Sequence, residues 1–226
     1  PTIKAGGSAV DEATTTLTAV SLTGYTISTI VAVGADLGSM AIDAFETWLT
    51  AKLAEGLAYK IEDYIVNGDG NSAPTGLEKA SVGASWADTT DAVDWASSAL
   101  GVVDLDEAIG MLPASYDRNA KFLMSKKTFF NSVVGLQDVN NYPVVRYEGG
   151  TYYIRGYKVI FSDKVKTNDI YFGDLKRAMA GNLGVDFTIE RDRNLRYNSW
   201  DFLGWCVFDC KPAAKGTVIK IAADIA

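Results

Sequence analysis

Residues 39–66 read SMAIDAFETWLTAKLAEGLAYKIEDYIV. Apolar side chains recur at Ile42, Phe45, Leu49, Leu53, Leu57, Ile61 and Tyr64, close to the period of an amphipathic helix. Ser39 can cap the start, Asp43 and Glu46 suit the positive end, and Asn67-Gly68 makes a stop. At about 1.5 Å per residue such a helix runs roughly 40 Å. That is long for a chain of 226 residues. Gly56 inside it costs about 1 kcal/mol against alanine, which predicts a close packing neighbour there.

Outward from this helix the pattern turns to strands. Upstream, residues 14–33 (TTTLTAVSLTGYTISTIVAV) are rich in β-branched side chains, and their alternation slips phase near Gly24, as a strand with a bulge does. No Lys or Arg occurs from Ala5 to Ala51. A long uncharged β-ribbon does not stabilise itself in water, so this segment is expected to lie on a neighbour. Downstream, 67–100 reads as loop, Asp104 to Leu112 as a helix stopped by Pro113, and 121–124 (KFLM) as a strand. Ser125 caps a short helix running to roughly Leu136. A hairpin follows at 151–163, turning near Gly156, and then a strand at 169–172. The last third holds strands at 185–193, 199–210 and 217–225. The fold class is α+β, with one dominant helix and antiparallel sheets.

Composition removes several chemistries. The chain is 48% hydrophobic and 22% charged, as globular proteins are. It has no histidine, which excludes imidazole acid-base work and His-dependent triads and zinc sites. Its two cysteines, Cys206 and Cys210, are too few for a four-thiolate site and read as buried reduced thiols. A net charge of −7 disfavours a reader of nucleic acid that works by neutralising phosphates. The longest uncharged run, Ala13 to Ala35, contains seven Thr and two Ser and is too polar to span a bilayer. The chain opens on Pro1, which reads as a start lost to processing or as a segment of a longer protein.

The candidate constellations have plain readings. Asn67-Gly68-Asp69-Gly70-Asn71 resembles half a calcium loop but lacks the closing Glu, so a helix stop followed by a turn is the simpler reading. Glu190-Arg191-Asp192-Arg193-Asn194-Leu195-Arg196 is the densest charge cluster and reads as solvated or inter-subunit ion pairs. Asp104, Asp106 and Glu107 suit a helix N-terminus, Lys126 and Lys127 face solvent, and the five Trp read as core or interface. Nothing here marks a catalytic residue, metal site or cofactor.

Three stretches in order carry a resemblance: FETWLTAKLAEGLAYKIEDYIVNGDGNSAPTGL (45–77), LDEAIGMLPASYDRNAKFLMSKKTFFNSVVGLQD (105–138) and YYIRGYKVIFSDKV with DIYFGDLKRAM (152–179). Together they resemble the major capsid proteins of tailed phages, the Hong Kong 97-type shell fold. The resemblance implies a peripheral domain from residues 31–100, with spine helix 39–66, and from strands at 184–211. It implies an axial domain from 101–183 and a C-terminal strand in 212–226, and makes residues 1–30 the return strand of an extended loop lying over the adjacent subunit.

The same resemblance implies a non-enzymic virion subunit, assembled in the host cytoplasm into hexamers and pentamers around double-stranded DNA. Scaffold, protease, portal and cement proteins would be its partners, with no membrane and no cofactor. Inter-subunit contact is expected at Leu17, Val20, Leu22, Tyr25, Glu190, Arg191, Asp192, Arg193, Arg196 and Asn198. In the family's founding member a loop Lys and a peripheral Asn cross-link the shell. Asn198 matches the Asn, but the loop position falls near Val20 or Ser21, where no Lys occurs, so no isopeptide bond is expected. An encapsulin-type compartment shell is the alternative on the same fold, and a hydrolase using Glu190 and Asp192 is the alternative from another class.

Overall fold

The computed structural model describes residues 20–34, 42–79, 86, 91–95, 99–214 and 216–223. Two sheets organise the chain. The smaller has three strands in the order β1-β9-β8, with β1 at Tyr25–Gly34, β8 at Met179–Asn194 and β9 at Ser199–Pro212. All pair antiparallel, with Ile27 opposite Cys206 and Ile189 opposite Gly204. The larger has seven strands in the order β2-β10-β7-β3-β6-β5-β4. These are β2 Ala92–Asp94, β3 Lys121–Met124, β4 Val145–Glu148, β5 Thr151–Ile154, β6 Tyr157–Phe161, β7 Ile170–Gly173 and β10 Val218–Ala222. Within it β2/β10 and β3/β6 are parallel and the other pairs antiparallel.

Helix α1 spans Ile42–Asn67, 26 residues, or about 39 Å. From Phe45 to Tyr64 the expected apolar stripe packs as read, while the side chains of Ile42, Asp43 and Glu46 lie outside the described residues. Leu49, Leu53 and Leu57 are buried against the small sheet, Leu49 and Leu53 with Val33 and Phe202, and Leu57 with Ile27, Cys206 and Phe208. Burying each leucine contributes about 1.5–3 kcal/mol, and these contacts hold the helix along one face of the sheet. Ser39 lies outside the described residues.

The expectation at Gly56 is corrected. A methyl there would meet nothing within 4 Å, whereas one on Gly204 of β9 would stand 3.1 Å from Phe187 Cε2 and 3.3 Å from Leu53 Cβ. The close approach of helix to sheet is made by the strand's glycine. The reading of 14–33 as a ribbon dependent on a neighbour is also corrected in part. Tyr25–Gly34 pairs along its whole length with the chain's own β9, so its ladder is satisfied internally. Gly24, with φ +79°, turns the chain into β1 rather than bulging within it.

The large sheet carries the main core. On one face Leu105 and Ala108 of α2 (Val102–Met111) pack with Phe122, Phe129, Ile154, Phe172, Ile219 and Ile221. On the other, Tyr171, Val218 and Leu123 meet Val66 at the end of α1 and Leu77 of a 3₁₀ turn, Leu77–Lys79. A four-residue helix, α3, follows α2 at Ala114–Asp117. Ser125 caps α4, Lys126–Thr128, which widens into a π turn over Phe129–Val133. The β5–β6 turn uses Arg155 and Gly156 at φ +50° and +93°, the conformation a tight right-twisted hairpin needs. Asp174 then caps α5, Leu175–Ala178, and the chain leaves the large sheet for β8.

Candidate functional site

The expected contact residues fall into two groups at opposite ends of β9. Leu17 lies outside the described residues. Val20 is exposed, and Leu22 and Tyr25 are half-buried on the strap that enters β1. Asp209, buried in β9, pins that strap. Its Oδ2 accepts the N–H groups of Thr23 at 2.7 Å and Gly24 at 3.4 Å, and Lys211 Nζ donates to the Ser21 carbonyl. Ser199 and Asp209 are ten residues apart on β9, or about 34 Å of strand. The charged group gathers at the Ser199 end.

There the opposite charges do something the sequence did not suggest. Arg191 and Arg193 on β8 stack their guanidinium groups over Trp200 at 4.9 and 5.5 Å. Glu190 Oε1 accepts the indole N–H of Trp205 at 3.0 Å, and Arg193 Nη2 donates to Asn198 Oδ1 at 3.0 Å. Asp192 is exposed and its Oδ1 accepts the N–H of Arg193. Arg196 stands in the β8–β9 turn, where Leu195 and Tyr197 project into solvent. Glu190 and Asp192 share one exposed strand face; Leu203 stands opposite Glu190 on β9, and Asp201, which accepts hydrogen bonds from Asn194 and Ser199, stands opposite Asp192.

Sequence reasoning missed the apolar surface between these groups. By strand alternation, Ile30, Leu203, Trp205 and Val207 lie on the sheet face turned away from α1, with Leu203 opposite Ile30 and with Trp205 and Val207 opposite Ser28 and Thr26. Ile30 is 66% exposed and the other three are half-buried. On α1 itself, Trp48 is 55% exposed and Tyr59 is likewise open. The signal was present in the period-two pattern of β9, but not which face the helix would take.

The remaining reactive groups are quiet. Burial, reinforced by the charge of Asp209, pushes the Cys210 thiol up to about 11, and burial raises Cys206 as well. Both stay protonated, so neither is a nucleophile at neutral pH. The Asn67–Asn71 loop is closed by its own backbone: Gly68 N donates to Tyr64 O, Gly76 N to Gly68 O, and Asn71 N to Asp69 Oδ1. Among the described residues no cluster of three or more His, Cys, Asp or Glu is placed to hold a metal ion, and no helix is long and apolar enough to cross a membrane.

A long helix laid on a narrow sheet with an open apolar face, beside a second sheet built around α2, is a shape shared with known shells. The model of the phage capsid family matches residues 2–222. The chain belongs to the phage capsid family. The capsid of a native GTA particle superposes with a TM-score of 0.76 at 18% identity, over 97% of this chain and 81% of that one. A structure from Mycobacterium phage Bobi gives 0.63 at 15% identity, over 91% and 73%. The holo-SrpI encapsulin complex of Synechococcus elongatus gives 0.63 at 18%, over 90% and 75%. No curated protein sequence matches the chain. This capsid-family chain therefore has the Hong Kong 97-type α+β fold and is a structural shell protein of the major capsid type.

Proposed function

We propose that this chain self-assembles into hexamers and pentamers that close into an icosahedral shell around double-stranded DNA. The observation that carries the reading is the small sheet, covered by α1 on one face and, among the described residues, by no element on the other, where Ile30 is exposed and Leu203, Trp205 and Val207 are half-buried beside Glu190. A subunit with an uncovered sheet face gains most when copies of itself cover it. In this reading α1 and the small sheet form the peripheral domain and the large sheet with α2 forms the axial domain. The strap at Val20–Gly24 launches residues 1–19 toward the adjacent subunit. The charged β8–β9 hairpin meets other subunits through Arg196, Leu195 and Tyr197. The net charge of −7 keeps the wall from binding packaged DNA tightly. No catalytic role is assigned, in keeping with a structural family, and the site of action is the virion.

Negative-stain microscopy of the protein under assembly conditions tests this: closed shells or rings are expected, and a strict monomer at high concentration overturns it. Deletion of residues 1–19 is expected to weaken assembly while the fold persists, since β1 begins only at Tyr25. Denatured, reduced shells are expected to run as a single band near 24.3 kDa, because no Lys occupies the loop position facing Asn198. The encapsulin superposition favours one second reading, a compartment shell. Protein cargo instead of nucleic acid inside purified particles would establish it.

A further inference from the structure

Two strands bound each sheet, and three of the four outer edges are protected. β4 and β2 close the large sheet; they are four and three residues long and carry Arg146, Glu148 and Asp94. β8 closes the small sheet and is long, but its pairing shifts register between Leu183 and Val185 and again between Val185 and Thr188, and it carries Glu190, Arg191, Asp192 and Arg193. Short length, charge and bulges keep an edge from pairing with another chain. β1, the fourth edge, has none of these. Its ten residues, YTISTIVAVG, carry no charge and no proline, and they pair with β9 without a register shift. Every second residue turns its N–H and C=O away from β9, and among the described residues no strand takes them.

Such an edge fixes the chemistry of what it takes, an extended and uncharged strand. Among the described residues the free edge of that length and composition is β1 itself, so the matching strand is β1 of a second copy. The strand is complementary to itself when two copies run antiparallel about Ile30. On the open face Ile30 then meets Ile30 of the second copy, extending the apolar row that Leu203 and Ile30 already make, and Ser28 meets Ala32. On the face under α1, Ile27 meets Val33 and Thr29 meets Val31, side chains that pair well across strands. The long helix fits the same arrangement. α1 packs on β1 and β9 alike, with Leu49 and Leu53 beside Val33 and Phe202, and Leu57 beside Ile27 and Cys206. With strands about 4.8 Å apart, a helix centred over that pair and its two-fold mate stand about 10 Å apart, the spacing at which helices pack.

We propose that the free edge of β1 pairs antiparallel with β1 of a second copy about Ile30, joining two small sheets into one across a two-fold axis. The proposal rests on the shell reading and gives it a specific contact. Rings of subunits need head-to-tail contacts, whereas a two-fold contact uses the same patch on both copies. This contact therefore links a subunit of one ring to a subunit of the next. Each β1 offers one edge, since its other side is paired with β9, so the contact closes at two copies and cannot grow into a fibre.

Oxidation of Ile30→Cys particles with diamide tests it. On a non-reducing denaturing gel a covalent dimer and no larger oligomer is expected, because the native Cys206 and Cys210 are buried and each copy uses β1 once. Thr26→Cys is expected to stay monomeric, since Thr26 lies opposite Gly34 in this register and the two copies of it stand about 27 Å apart. Intact Ile30→Cys particles that give only monomer overturn the proposal and leave the shell reading standing. A ladder from Ile30→Cys, or an equal dimer from Thr26→Cys, overturns it as well. Ile30→Cys dimers from a protein that forms no particle keep the contact and defeat the shell reading. Amide exchange on the unmodified protein is a second readout, free of any substitution. The alternate β1 amides that face away from β9 are expected to exchange at least tenfold more slowly in particles than in dissociated subunits. Equal rates in the two states overturn the contact. If those amides are already slow in the subunit and quicken when residues 1–19 are deleted, the chain covers its own edge and the proposal falls.

Discussion

Lys220 Nζ lies 3.3 Å from Glu78 Oε2, joining the last strand of the large sheet to the 3₁₀ turn that follows the long helix. Glu78 also takes Lys166 at 2.9 Å and the Tyr171 hydroxyl at 2.7 Å, and Lys220 also reaches Asp169 at 3.3 Å. Burial pushes the Glu78 carboxyl up, but hydrogen bonds from Lys166 and Tyr171 and the charge of Lys220 outweigh burial and hold it below its usual value. Burial dominates at Asp169 and raises it, despite Lys220.

The two carboxylates therefore push stability in opposite directions with pH. The Glu78 contribution is full above the ordinary carboxylate range and is lost as pH falls through its lowered folded value. Asp169 is penalised while charged, and that penalty fades as pH falls through its raised value. Glu78→Gln is expected to cost about 2–4 kcal/mol at pH 7, since it strips a buried lysine of a partner, and to flatten the acid limb below about pH 4. Asp169→Asn is expected to stay within about 1 kcal/mol at pH 7, because Lys220 keeps Glu78. Urea unfolding at three pH values checks both. An undiminished Glu78→Gln protein at pH 7 would refute the account.

Asp209 supplies the second prediction. It is buried, accepts from the strap at Thr23 and Gly24, and its Oδ1 has no partner. Asp209→Ala removes the strap's anchor and is expected to cost about 1–3 kcal/mol. The more telling readout is local. Amide exchange at Thr23 and Gly24 should quicken far more than exchange in Ile27–Val33, whose ladder to β9 remains. Uniform quickening along β1 would mean that Asp209 holds the sheet and not the strap.

Elements with strong local codes were legible. The α1 stripe, KFLM at 121–124, the turn at Gly156 and the strand positions of the last third all appear close to where their patterns put them. Elements made by distant pairing were not. β2 lies in an Ala- and Asp-rich stretch with no β-branched run and is a strand because β10 pairs with it. β8 begins at Met179, six residues before the readable VDFTIERDR, because β9 extends far enough to pair with MAGNLG. Among the contact candidates, the charge cluster was visible as charge, but Trp200 beneath Arg191 and Arg193 came from a different strand. The open face of the small sheet needed the side of the helix, which no local pattern states.

The misplaced glycine makes a paired test. Gly204→Val inserts a branched side chain where Phe187 and Leu53 already stand within 3.3 Å. Overpacking of this kind is expected to cost about 1–3 kcal/mol. Gly56→Ala meets no atom within 4 Å and is expected to stabilise the helix by about 0.5–1 kcal/mol. Denaturant midpoints should move in opposite directions. If Gly56→Ala destabilises the isolated subunit, the helix face at Gly56 is not open as described. If it stabilises the subunit but hinders assembly, a neighbouring copy packs there.

Ile30 separates folding from assembly most cleanly. It sits on β1 opposite Leu203, on the face away from α1, and is 66% exposed. In the lone subunit Ile30→Glu exchanges one largely solvated side chain for another and should change stability by less than about 1 kcal/mol. If copies cover this face, the same change buries a carboxylate without a partner, a penalty of several kcal/mol at each contact. Summed over a shell, that is expected to abolish particles in microscopy while circular dichroism and the unfolding midpoint hold. Particles that form normally from Ile30→Glu would mean that the open face looks onto solvent in the shell, and the proposed assembly would have to rest on the charged hairpin and the axial contacts alone.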